Sequence, residues 1–497
     1  MASDQPIPRA TSERTRPVFV PDFARKGRRG WILVAGVLGS SMGFIDGTVV
    51  SIAIPSIRGD LGASLDQAAW IQNAYMVTLS ALILAGGAFG DRFGLARMFS
   101  WGVGLFLLTS ALCAIAPTPD LLILARAAQG AGAALMVPGS LAMISRAYPR
   151  EERGRAIGIW AAASGLTTAA GPIVGGLLLS LGGPEMWRWI FAINLPLGVA
   201  TLVLTRAAVQ TDPRRSGEPV DVIGAALGVM ALGLLAWTLT HLEASNETWL
   251  TILSAVLGLL ALAFFLRHER RTDAPIMPLR LFANRTFSAA NASTFLLYFG
   301  MSAILFFLPM LTVAGWGLSE IETIVAFAPL SGFIAAFSTR FGALADRRGP
   351  RGPIAGGALL ATVGYAILAL VVHLERFWTG VLPAMAVVGL GMSMVVAPLS
   401  AAVMSAAGRG RDGIASGVNN SVSRIGGLMA VAAMSSVAAI SYTMDGGPAS
   451  FGERSALPMH IEAMNAGFAA IAWVCAALAA AAAAIAWIGI PRGRAPR

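Results

Sequence analysis

Apolar residues along this chain neither alternate with polar ones nor recur in narrow stripes. They run almost unbroken through windows near 31–56, 67–89, 98–117, 121–144, 156–180, 188–208, 221–241, 249–266, 288–310, 322–341, 353–372, 377–404, 414–440 and 464–489. A bilayer's hydrocarbon core takes about 20 helical residues per crossing. The pattern therefore predicts fourteen membrane-spanning helices. It excludes a β-barrel, whose strands alternate apolar and polar positions. The expected fold class is an all-α polytopic membrane protein.

Composition agrees. Of 497 residues, 56% are hydrophobic and 12% charged, with a mean hydropathy of +0.70. A soluble chain would be about 25% charged. The net charge of +10 would suggest a nucleic-acid partner in a soluble protein, but the placement of the charges points elsewhere. With a cytoplasmic N-terminus, the outside loops hold only Arg58, Arg188, Arg376 and Arg454, and the spans hold Arg126 and Arg424. The other basic residues fall in inside segments, as cytoplasmic loops require. That alternation stays in phase to the C-terminus. It predicts both termini in the cytoplasm, the lipid bilayer as partner and no nucleic acid. Cys113 and Cys475 lie in apolar runs, so neither a disulfide framework nor a metal site is expected. No phosphate-binding loop occurs, so no ATP site, no cofactor and no enzymatic activity are expected.

An internal repeat organises the spans. Gly87-Ala-Phe-Gly-Asp91-Arg92-Phe-Gly94-Leu-Ala-Arg97 follows the second run, and Gly342-Ala-Leu-Ala-Asp346-Arg347-Arg-Gly349-Pro-Arg351 follows the tenth. Equating the two pairs helices 1–6 with helices 9–14 and leaves helices 7 and 8 as an insertion. The expected organisation is a tail (1–30), a six-helix bundle (31–208), two inserted helices with an interfacial linker (209–287), a second six-helix bundle (288–489) and a tail (490–497). Repeats of the same orientation are the plan of a two-domain secondary transporter. Residues 267–287, with five arginines among scattered apolar residues, read as an amphipathic interfacial segment. Residues 441–463, with Gly446, Gly447, Pro448 and Pro458, read as a linker in preference to a structured cap.

Asp46 is the only carboxylate well inside a span, and an intramembrane acid is a functional candidate by default. Arg126 is the natural counter-charge. Gly165, Ala169, Pro172 and Gly176 form one small-residue face on helix 5, suited to close helix approach. Asn420 and Arg424 form a polar patch near mid-span that either lines a cavity or pairs with carbonyl groups.

Four stretches carry a family resemblance. They are the loop 87–97; Arg126-Ala-Ala-Gln129-Gly130-Ala-Gly132; Gly165 through Gly171-Pro172-Ile-Val-Gly175-Gly176; and Phe44-Ile-Asp46-Gly-Thr48 together with Trp187-Arg188-Trp189-Ile-Phe191-Ala-Ile-Asn194-Leu-Pro196. The chain resembles the major facilitator superfamily, in particular its fourteen-helix drug:proton antiporter branch. Leu95 and Ala96 depart from that pattern, since basic residues are usual there. The resemblance implies a major-facilitator fold working by alternating access. It also implies a proton-coupled exporter of lipophilic, cationic drugs or toxic compounds, acting as a monomer in a bacterial inner membrane. An exporter of a lipid or specific metabolite, and a non-transporting sensor, are the alternatives. Asp46 and Arg126 would couple protons. Gly87, Asp91, Arg92, Gly94, Arg97, Asp346 and Arg347 would form conformational latches. Gly165, Gly171, Pro172, Gly175 and Gly176 would mark the exporter helix. Gln72, Asn73, Tyr75, Gln129, Asn291, Phe295, Tyr298, Asn420 and Arg424 would line the substrate cavity.

Overall fold

The computed structural model describes residues 23–492 apart from 183, 213–220, 243–247, 274 and 408–411. Both terminal tails lie largely outside the described residues. The N-terminal group contains α1 (Arg29–Leu61), α2 (Leu65–Phe93), α3 (Leu95–Ala114), α4 (Pro119–Ala147) and α5 (Arg150–Ser180). It closes with α6 (Trp187–Ala192) and α7 (Asn194–Ala208), one crossing broken at Ile193. An inserted pair follows, α8 (Val222–Thr240) and α9 (Thr248–Glu269). The C-terminal group begins with α10 (Arg285–Pro309), which continues as a π-helical turn over Met310–Gly315. Next come α11 (Glu320–Val325), α12 (Ala328–Arg348), α13 (Arg351–Val371) and α14 (Leu382–Ala407). Last are α15 (Asp412–Met444) and α16 (Pro458–Gly489).

Among the described residues, twelve helical segments are long and apolar enough to cross a membrane. Helices α2 and α5 are 29 and 31 residues long in addition. The protein is an all-helical, multi-pass membrane protein.

The two groups repeat one packing scheme. In the first, α4 packs on α2 and α3, while α1 packs on α5 and α7. In the second, α14 packs on α12 and α13, while α10 packs on α15 and α16. The same device closes matching crossings: Gly102 of α3 meets the carbonyl of Gly132, and Gly357 of α13 meets that of Gly391. A side chain at any of these glycines would hold the backbones apart. The helix α8 lies against α2 and α15, bridging the groups through Val77, Ala236, Leu428 and Ala432.

The segment 267–287 begins as the last turn of α9, which ends at Glu269, runs through a 3-10 turn at Leu279–Ala283 and enters α10 at Arg285. One segment differs from the sequence reading. The segment read as a linker, 441–463, is helical at both ends, up to Met444 and from Pro458, and the loop between them packs onto the protein. Phe451 is buried, edge-on to the rings of Phe307 and Tyr442 at 6.0 and 6.4 Å. The Tyr442 hydroxyl accepts from the amide of Ala449 at 3.1 Å and lies 2.5 Å from His460 Nδ1. An aromatic anchor and a buried hydrogen-bond chain make this loop a cap despite its glycines.

Candidate functional site

The spacing of Asp46 on α1 and Arg126 on α4 brings the two onto facing helix surfaces, 1% and 0% exposed, in direct contact through Arg126 Nη1 and Asp46 Oδ2. Both would be prohibitively unstable in the interior alone, so each is surrounded by polar partners. Gln129, one turn along α4, accepts from Arg126 Nη1 at 2.7 Å and donates to Asp46 Oδ1 at 3.1 Å. Its amide also lies 2.8 Å from the Ser110 hydroxyl of α3. Asn194, at the α6–α7 break, donates to Asp46 Oδ1 at 3.5 Å and to Ser110 at 3.3 Å. Arg126 Nε donates to the carbonyl of Ile71 at 3.1 Å, and its guanidinium lies over the Tyr75 ring at 4.3 Å. Its Nη2 has no hydrogen-bond partner among the described residues.

Tyr75 is fixed in turn by donating to the carbonyl of Gly43 at 2.9 Å. Gln72 donates to the carbonyl of Gly47 at 3.1 Å and leaves its Oε1 unpartnered, while Asn73 is buried with neither amide atom bonded. Gln129 is part of the charged network. On the C-terminal side, Asn291 donates to the carbonyl of Phe287 at 2.9 Å, and its Oδ1 is unpartnered. Phe295 and Tyr298 are part-buried on the same helix. Arg424 donates through Nε to Asn420 Oδ1 at 3.3 Å and faces the Phe44 ring at 5.7 Å, across from the N-terminal group. The structure thus sets the paired charges within one group and a second guanidinium opposite them.

The glycines of α5 divide between two contacts. Gly171 and Gly175 let α5 approach Thr48 and Val49 of α1, whereas Gly176 abuts Ile324 of α11 in the other group. The side-chain surroundings of Gly165 and Pro172 lie outside the described residues. Further contacts join the groups at this arginine-poor end. Arg58, at the end of α1, donates to the carbonyl of Phe451 at 2.6 Å and to that of Ala63 at 3.1 Å. Ser56 donates to Glu320 Oε1 at 3.4 Å, and Arg454 pairs with the same carboxylate oxygen at 3.5 Å. This end is closed.

At the arginine-rich end, Arg92, Arg97 and Arg347 are exposed, and Gly87 is part-buried. The side chains of Asp91 and Asp346 lie outside the described ones. Gly94 and Gly349 occupy matching turns with φ of 106° and 88°, a region that favours glycine. The anion at the start of α3 is Asp212, which sequence reasoning passed over. Its Oδ2 accepts from the amide of Arg97 at 2.9 Å and packs against Gly94. Asn194 and Ser110 were missed as well. Asn194 carried a signal, as an amide within an apolar run just before Leu-Pro; Ser110 carried none.

The family model of the Major Facilitator Superfamily matches residues 36–431. The chain belongs to this superfamily. It is 32% identical over 406 residues to a methylenomycin A resistance protein of Bacillus subtilis (strain 168), covering 81% of this chain and 86% of that one. It is also 32% identical over 436 residues to a tetracenomycin C resistance and export protein of Streptomyces glaucescens, covering 86% and 79%. A solved bacterial homologue of the human lysosomal transporter Spinster superposes with a TM-score of 0.68 over 94% of this chain and 97% of that one, at 16% identity. That likeness speaks for the fold.

Proposed function

We propose that this superfamily member is a proton-coupled exporter of lipophilic, cationic small molecules, with Asp46 as the coupling acid. The observation that carries this reading is the buried Asp46–Arg126 contact with Gln129 and Asn194 around it. In the ionised state Asp46 is held by Arg126. A proton arriving at Asp46 cancels its charge and leaves the guanidinium with Gln129, the Ile71 carbonyl and the Tyr75 ring. Breaking a buried pair in this one-sided way costs about 3–5 kcal/mol, enough to favour a different arrangement of α1 against α4. A cationic substrate competes with Arg126 for the same carboxylate, so substrate and proton exclude each other. One charge crossing 100 mV supplies about 2.3 kcal/mol, and inward proton flow drives outward pumping without ATP.

The glycine turns at 94 and 349 and the contacts of Arg58 and Gly176 are, in this reading, the two gates that open alternately. The chain makes fourteen crossings as a monomer in a bacterial cytoplasmic membrane, with both termini inside. The experiment is proton release. Adding ethidium to the purified protein in weak buffer is expected to release protons from wild type and none from Asp46→Asn. Equal release from both would overturn the assignment. A relative named for resistance to and export of tetracenomycin C favours, as second reading, a single metabolite as cargo. Ethidium would then release no protons, and no ethidium would be exported.

A further inference from the structure

A second pair of acids sits far from Asp46, at the arginine-rich end of the inserted helices. Asp221 precedes α8 and caps it: Oδ1 accepts from the amide of Gly224 at 2.7 Å and also lies 2.7 Å from His268 Nε2. Glu269 ends α9, 3% exposed, and its Oε2 accepts from the amide of Met277 at 2.8 Å. Each acid therefore spends one oxygen on structure. Asp221 Oδ2 and Glu269 Oε1 are left, both buried and both without a hydrogen-bond partner among the described residues.

The two bare oxygens face the same small space. Gly224 leaves that space open: a Cβ built there would collide with Asp221 Oδ2 and stand 2.8 Å from Glu269 Oε1. The oxygens are thus no farther apart than those two short distances combined. A bare carboxylate oxygen in the interior is costly, and two facing each other repel. The charged groups acting on Glu269 are Asp221 from α8 and His268 from its own helix. A metal is not favoured, since among the described residues no group of three His, Cys, Asp or Glu side chains converges to hold one.

We infer that Asp221 and Glu269 form a proton-binding site, with one proton held on Glu269 Oε1 and donated to Asp221 Oδ2. Glu269, 3% exposed at the end of α9, is the partner assigned the proton. The proton comes from water at the arginine-rich face and returns there. While it is bound, Glu269 keeps Met277, and with it the linker that leads into α10 and the C-terminal group. When it leaves, two carboxylates share one buried space and the Met277 contact is released. Repulsion between the two carboxylates sets the sign, against the stronger pull of ionised Glu269 on the Met277 amide: the clamp holds in acid and opens as pH rises. The site gives the inserted helices a task, coupling proton occupancy to the linker between the two groups.

The test uses the full-length protein in lipid nanodiscs and does not measure transport, so its result is independent of the exporter reading. Infrared difference spectra recorded from mildly acid to mildly alkaline pH are expected to show a carboxylic-acid band that wild type loses. That band should be absent from both Glu269→Gln and Asp221→Asn and retained by Asp46→Asn. Amide exchange over 275–284 should rise about tenfold beyond its intrinsic pH dependence in wild type, the equivalent of one lost hydrogen bond to a neutral acceptor. Glu269→Gln, which mimics the protonated acid, should hold that segment protected throughout. Should Glu269→Gln fail to fold, Asp221→Asn and the wild-type exchange profile still decide. A band unchanged by Asp221→Asn, or a linker whose protection does not respond to pH in wild type, would overturn the site.

Discussion

Arg126 grips Asp46 with Nη1 and leaves Nη2 buried with no hydrogen-bond partner among the described residues. In the proposed exporter this idle donor leaves Arg126 free to take another partner when Asp46 is protonated. Gln129 is poised between the two charges, accepting from one and donating to the other.

Replacing Gln129 by Leu strips that bridge and leaves Asp46 and Arg126 each short of a partner. The expected loss is about 1–3 kcal/mol of stability, seen as a lower thermal midpoint in detergent, together with slower efflux. An unchanged midpoint would show that the bridge is idle.

Gly176→Val should block closure of the arginine-poor end, since Ile324 of α11 occupies the space a side chain would need. Overpacking of this kind costs about 1–3 kcal/mol. Efflux should fall severalfold and be restored in part by adding Ile324→Ala. Absence of rescue would mean that Gly176 acts elsewhere.

Arg58 holds the cap to α1 through the Phe451 carbonyl and is itself fixed by the carbonyl of Ala63 in the turn before α2. Arg58→Ala should raise the accessibility of cysteines placed along α1 near Ser56 to membrane-impermeant reagents. Arg58→Lys should recover little of the closure, because an ammonium lacks the planar fork that reaches both carbonyls. Equal labelling of wild type and Arg58→Ala would contradict the gate.

Asp212→Ala removes the anion from the start of α3, a contact of the helix-capping kind worth about 0.5–2 kcal/mol. Gly94→Ala strains the same turn, where φ is 106°. Both should lower the thermal midpoint. Gly349→Ala should do so too, at a φ of 88°.

These residues also show what could be read from the sequence and what could not. Asp46 and Arg126 stand out because a bilayer makes any embedded charge conspicuous. The matching Gly94 and Gly349 turns were legible because a tight turn constrains residue type locally. Ser110, Gln129 and Asn194 converge from α3, α4 and the α6–α7 break, and no spacing along the chain encodes that meeting. The loop after α15 misleads for a related reason. Gly446, Gly447 and Pro448 dominate its local pattern, whereas its structure comes from Phe451 packing on Phe307, more than a hundred residues away. Asp212 looks like an ordinary loop acid until the fold brings it to the amide of Arg97.

The most direct measurement of the central claim is ethidium efflux from cells expressing wild type or Asp46→Asn, with and without a protonophore. Wild-type efflux is expected to collapse when the protonophore is added, and Asp46→Asn, folded and present at normal abundance, is expected to export nothing in either condition. Protonophore-sensitive efflux persisting in Asp46→Asn would contradict the account.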